Sequence, residues 1–128
     1  MNMVFPELLQ VLDAQPDIEL AVLVGSQAEG CARPDSDWDI AIQWKRGLSL
    51  LDSLAKTETL RHLLATALAV ENDRIDLINL PDARLAMRAV VAEDGVPLKG
   101  EDSLAWNHFL GRTWRELEAW EWEKQHAA

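Results

Sequence analysis

The sequence predicts an α/β fold in a single domain, on three observations. Glu19-Leu-Ala-Val-Leu-Val is a nearly unbroken apolar run that stops at Gly25-Ser26, as expected of a strand buried on both faces. Strand-like segments alternate along the chain with segments whose leucines recur at helical spacing. The 128 residues suffice for one core and leave little room for a second.

Pro6 to Ala14 reads as a first helix and residues 18 to 24 as the first strand. A short helix opens at Ser26, residues 37 to 43 form a second strand, and 48 to 69 a long helix. Arg74 to Leu80 is the third strand. Asp82 is the expected N-cap of the helix over Ala83-Arg-Leu-Ala-Met-Arg-Ala-Val-Val-Ala, and Gly95 ends that helix with Pro97 just beyond. Val96-Pro97-Leu98 fits a short edge strand, where proline is tolerated. Asp102 or Ser103 opens a last helix running towards Gln125. With no repeat, low-complexity tract or linker, the domain is read as residues 1–128, with a core over about 18–100 and the C-terminal helix over about 102–125.

The last helix holds four of the six tryptophans. Trp106, Leu110, Trp114 and Leu117 follow one stripe, which predicts a core-facing side. Trp120 and Trp122 lie two positions apart and point about 200° from each other, so one of them faces outward as a candidate partner contact.

The chemistry concentrates between Gly25 and Asp39. Strand side chains alternate faces, so Asp37 and Asp39 point the same way, a few ångströms apart. Two such carboxylates repel unless a cation lies between them, and hard oxygen ligands suit Mg²⁺, which takes one or two carboxylates plus substrate phosphates. Upstream, Gly25 allows close backbone approach to a ligand, and a helix opening at Ser26 aims N–H groups and a hydroxyl at a phosphate. The pattern therefore predicts a metal-bound nucleotide. Competing phosphate motifs fail: Gly25 and Gly30 have Walker-type spacing, but Cys31-Ala32 stands where Lys and Ser/Thr are required, and no Gly-x-Gly-x-x-Gly occurs. His62, His108 and His126 share no ligand spacing with Cys31, which excludes a zinc site from the expectation.

Gly25-Ser26, a ten-residue gap and Asp37-Trp38-Asp39-Ile resemble the signature of the polymerase-β-like nucleotidyltransferases, and within them the minimal nucleotidyltransferases of the MntA type. The resemblance covers roughly residues 18 to 100. It implies a small mixed sheet flanked by helices and a third acidic residue on a later strand. Asp76, in Arg74-Ile-Asp76-Leu-Ile78, fits, since a charge in an apolar β-branched run is otherwise costly. Arg33 and Ser36 join Gly25 and Ser26 as expected nucleotide-binding residues. One departure is Gln27, where many relatives carry a basic residue.

The resemblance further implies metal-assisted attack of an acceptor hydroxyl on the α-phosphate of ATP, with Asp37, Asp39 and Asp76 holding a two-metal Mg²⁺ site and Asp76 helping to deprotonate the acceptor. Relatives of this size are commonly antitoxins that transfer AMP to a tyrosine of a paired HEPN-domain ribonuclease toxin. Nucleotidyltransferases that modify small molecules usually add an acceptor-holding domain, so a short chain favours a protein acceptor. Two alternatives remain: a small-molecule enzyme of the aminoglycoside-modifying kind, and a catalytically silent module that neutralises its partner by binding.

Charge agrees with a protein partner. At −10 net, with 12 scattered basic residues, the chain lacks the Lys and Arg clusters on which nucleic-acid binding rests. One cysteine excludes a disulfide framework, the N-terminal residues lack a signal-peptide plan, and the apolar runs are too short to span a membrane. The expectation is a cytoplasmic protein that binds neither nucleic acid nor membrane.

Overall fold

The computed structural model describes residues 5–127. The outermost ends of the expected 1–128 domain therefore lie outside the described residues. The elements alternate as α1 (Pro6–Asp13), β1 (Ile18–Val24), α2 (Ser26–Glu29), β2 (Trp38–Trp44), α3 (Leu50–Leu68), β3 (Ile75–Asn79), α4 (Leu85–Asp94), β4 (Val96–Lys99) and α5 (Leu104–His126). Short 3₁₀ turns over Asn72–Arg74 and Leu80–Asp82 bracket β3.

The four strands form one mixed sheet in the order β3-β2-β1-β4. β1 runs antiparallel to both β2 and β4, whereas β2 and β3 are parallel. A parallel pair needs a crossover, and α3 supplies it. β1 is one of the two inner strands, and Leu20 to Val24 are at most 3% exposed, which is why its apolar run does not alternate.

Helices cover both faces. Leu8 and Leu12 of α1 and Leu60, Leu64 and Ala65 of α3 pack on Ala21, Leu23, Ile40, Ile42 and Ile75. On the opposite face Val91 of α4 and Trp106 of α5 pack on Leu20, Val22, Val24, Ala41 and Leu80. Each fully buried leucine contributes roughly 1.5–3 kcal/mol to holding these layers together. Ser49 caps α3, accepting from the Asp52 N–H at 3.1 Å, and Ser103 caps α5, accepting from the Trp106 N–H at 3.2 Å.

Three local expectations are corrected. The second strand starts at Trp38, so Asp37 sits on the approach to the strand. Asp82 is not an N-cap: it closes a 3₁₀ turn and accepts from Asn79 Nδ2 at 2.6 Å, while α4 starts after Arg84 without a side-chain cap. Trp114 leaves the core and is 38% exposed, because α5 continues past the sheet it packs against. Trp120 and Trp122 are both exposed, at 50% and 61%.

Gly95 does end α4, though not by a left-handed turn, since its φ is −72°. Here glycine is needed for space: a Cβ would fall against the Val91 carbonyl and 2.5 Å from Val22 Cγ1. Gly95→Ala is therefore expected to destabilise the fold by about 1–3 kcal/mol, measured by chemical unfolding, because neither the helix backbone nor the central strand can give way.

Candidate active site

The site lies where β1 ends and β2 begins, on the face that carries α4 and α5. Register fixes its geometry. Val24 pairs with Asp39 across the antiparallel β1–β2 ladder, and Asp39 pairs with Asp76 across the parallel β2–β3 ladder. Directly opposed residues share a face, as do residues two apart, so Asp37, Asp39 and Asp76 all project to one side. Asp76 is exposed on the edge strand β3, Asp37 is exposed ahead of β2, and Asp39 between them is partly buried.

Crowding sets the electrostatics. The Asp39 carboxyl is pushed above its ordinary value of 3.8, first by burial, then by the negative charges of Asp76 and of Asp37, and by a hydrogen bond with Asp76. Among the described residues no three His, Cys, Asp or Glu side chains are gathered as a ready-made metal cage. The donor set nevertheless fits Mg²⁺, which takes few carboxylates and completes its shell with water and phosphate oxygens; a cation would also relieve the repulsion at Asp39.

That repulsion has a measurable consequence. The folded state holds the Asp39 proton more tightly than the unfolded chain does, so in chelator this group's contribution to stability is most favourable at acidic pH. It declines as pH rises from the ordinary carboxylate value through the raised folded value. Asp39→Asn is expected to flatten that part of the melting-temperature profile, read by thermal unfolding against pH in EDTA.

Gly25 abuts this set. Its backbone has φ 78° and ψ −160°, a conformation confined in practice to glycine. A Cβ there would lie 2.5 Å from Asp39 Oδ2, so the turn needs glycine for space as well. α2 follows as a single turn, with the Ala28 and Glu29 N–H groups donating back to the Gly25 carbonyl at 3.1 Å. Ser26 is the first residue of that turn and is partly exposed.

The loop between α2 and β2 is closed on itself. The Arg33 N–H donates to Ser36 Oγ at 2.8 Å and the Ser36 N–H donates to the Arg33 carbonyl at 2.9 Å. Ser36 is thus engaged in holding the loop, and the Arg33 side chain is exposed on it. Gln27 Nε2 donates to the Ser36 carbonyl at 3.5 Å, which ties α2 to the loop.

Sequence reasoning missed Arg74. Its Nη1 lies 3.8 Å from Asp37 Oδ1 and also donates to the Asp35 carbonyl, so it anchors the loop and places a positive charge beside one of the carboxylates. It stands in the 3₁₀ turn just ahead of β3, where strand alternation does not assign a face.

Carboxylates converging beside such a turn belong to enzymes that handle metal-bound phosphates. Comparison with known proteins narrows that class: the chain belongs to the polymerase β nucleotidyltransferase family, whose model matches residues 7–104. It is 27% identical over 107 residues to the protein adenylyltransferase MntA of Aphanizomenon flos-aquae (strain 2012/KM1/D3), covering 81% of this chain and 71% of the relative. Its fold matches a chain in the crystal structure of a toxin–antitoxin with AMP-PNP, with TM-score 0.69 and 26% identity over 93% of this chain and 90% of that one. A chain of the MntA–HepT toxin–antitoxin matches with TM-score 0.61 and 25% identity, over 93% of this chain and 88% of that one. No helix among the described residues is long and apolar enough to cross a membrane.

Proposed function

We propose that this chain is a cytoplasmic, single-domain antitoxin that transfers AMP from ATP to a tyrosine hydroxyl of a cognate HEPN-domain toxin. The observation that carries the reading is the placement of Asp37, Asp39 and Asp76 on one face beside Gly25. Support comes from the adenylyltransferase relative and from fold neighbours crystallised as toxin–antitoxin complexes, one of them with an ATP analogue.

In the proposed mechanism Gly25 and Ser26 hold the β- and γ-phosphates of ATP, with Arg33 as a further contact. Asp37, Asp39 and Asp76 hold Mg²⁺, which when bound stabilises negative charge on the transferring phosphate and its entering and leaving oxygens. The acceptor oxygen attacks the α-phosphorus; the new P–O bond forms as the bond to pyrophosphate breaks. Asp76, exposed on the edge strand, takes the proton released by the acceptor.

A silent binding module is the second reading, favoured by the Arg74–Asp37 pair, which occupies one carboxylate of the set. Intact mass of a toxin co-produced with this chain separates the two. Added mass in whole AMP units is the expected result; a tight complex whose toxin gains no mass after incubation with ATP and Mg²⁺ sinks the enzyme reading.

A further inference from the structure

The distal half of α5 runs on beyond the body of the protein. Thr113 is its last buried residue and Glu116 still pairs with Arg88 of α4, but from Glu118 to His126 every residue is exposed. A lone helical stretch of that length is marginal in water, because packing supplies most of a helix's stability. Yet this stretch holds Trp120 and Trp122, both at least half in solvent. Large aromatic side chains standing together in solvent mark a surface that another molecule covers.

A shallow groove of about 590 Å³ lies between this stretch and the end of α4. Trp114, Leu117 and Trp122 give it an apolar lining, and Glu93, Glu118 and Glu121 a charged one; among the described residues no basic side chain lines it. Residues 114, 118, 121 and 122 recur at helical spacing, so the lining on α5 is a straight stripe about 12 Å long. Trp122 stacks on His126 with ring centroids 4.1 Å apart, which holds its ring in place. Trp120 lies off the groove, with Lys124 Nζ 4.9 Å from its ring centroid. Of the two outer tryptophans, Trp122 is therefore the one presented for contact.

We propose that this groove docks a basic amphipathic helix of the toxin, its apolar stripe on Trp114, Leu117 and Trp122 and its Lys or Arg side chains against the three glutamates. The partner's identity rests on the toxin-modifying reading above. Charge decides the kind of occupant. A second copy of this chain would set the same glutamates against each other, and a nucleic acid would bring phosphates to an acidic surface. A straight stripe on one helix is matched by a second helix lying along it, and basic groups can both pair with the glutamates and cover the tryptophan faces. Because α4 and α5 pack on the sheet face that carries the three aspartates, a toxin seated here stands on the side its acceptor hydroxyl must reach.

Titration calorimetry of the whole chain with purified toxin, in the absence of ATP, tests the surface apart from the chemistry. Glu118, Glu121 and Trp122 are all exposed, so Glu118→Lys, Glu121→Lys and Trp122→Ala leave the core intact. Each of the two variants is expected to weaken toxin binding by at least about ten-fold and to raise the KM for toxin alike, with kcat at saturating toxin unchanged. Glu7→Lys, Asp13→Lys makes the same change in net charge on α1, across the sheet, and is expected to bind as the wild type does. If the groove variants bind toxin as tightly as the wild type, or if the α1 variant weakens binding equally, the docking surface is overturned while the toxin reading stands. Sedimentation showing a dimer of this chain that the groove variants break overturns it in favour of self-association. If the wild type does not bind toxin at all, the toxin reading fails and this assignment with it.

Discussion

A toxin co-produced with the Asp37→Asn, Asp39→Asn variant is expected to keep its unmodified mass, with the transfer rate lowered by about 10³-fold or more. The reason is electrostatic. Asparagine keeps the shape of each side chain but removes two of the three negative charges that Asp37, Asp39 and Asp76 direct to one side of the sheet. A divalent cation then loses most of its attraction, and with it goes the stabilisation of charge on the transferring phosphate. Folding does not suffer, because Asp39 is under repulsion from both of its neighbours. A silent variant that melts no lower than the wild type in chelator therefore locates the loss in chemistry. If this variant still modifies the toxin at the wild-type rate, these carboxylates are not the metal-binding set.

Gly25→Ala is expected to cost about 2 kcal/mol of stability and to lower transfer by roughly 10²-fold. Two effects add. At φ 78° and ψ −160° any side chain strains the backbone, whatever space surrounds it. The new methyl would also lie 2.5 Å from Asp39 Oδ2, so the carboxylate must swing out of the position that faces Asp76. Misplacing a reacting geometry by about an ångström is enough for a loss of that size. Gly47→Ala makes a useful contrast, since Gly47 has positive φ but open space around it. It is expected to lose stability and keep activity, as followed by melting temperature and AMP incorporation.

The parts of the fold legible in the sequence were those fixed by periodicity and local chemistry. β1 was readable to the residue because its apolar run is nearly unbroken, and the start of α5 because Asp102 and Ser103 stand before a helical pattern, whereas α3 begins at Leu50, two residues later than its leucine spacing suggested. Asp37 and Asp39 were singled out by alternation along a strand and their spacing from Gly25-Ser26, and Asp76 by the apolar β-branched run around it. That Asp39 and Asp76 face each other was not legible, since it depends on the parallel register of strands joined through α3. Arg74 escaped notice because a basic residue before a strand has no local signature, and its partner Asp37 comes from the other side of that crossover. Asp82 misled because Asx residues close turns as readily as they cap helices. Trp114 misled because helical spacing reports which side of α5 is apolar, whereas burial depends on where the sheet beneath it stops.

The parallel pairing of β2 with β3 also dictates the order in which the site matures. Gly25 meets Asp39 through β1 and β2, which adjoin in sequence and can pair as soon as the loop between them closes. Asp76 joins only after α3 has formed and carried the chain back across the sheet, a contact of far longer reach and slower closure. A chain emerging from the ribosome thus presents its glycine turn and first carboxylates before it can be an enzyme. On refolding, catalytic competence should return with the docking of β3, behind the pairing of the first two strands.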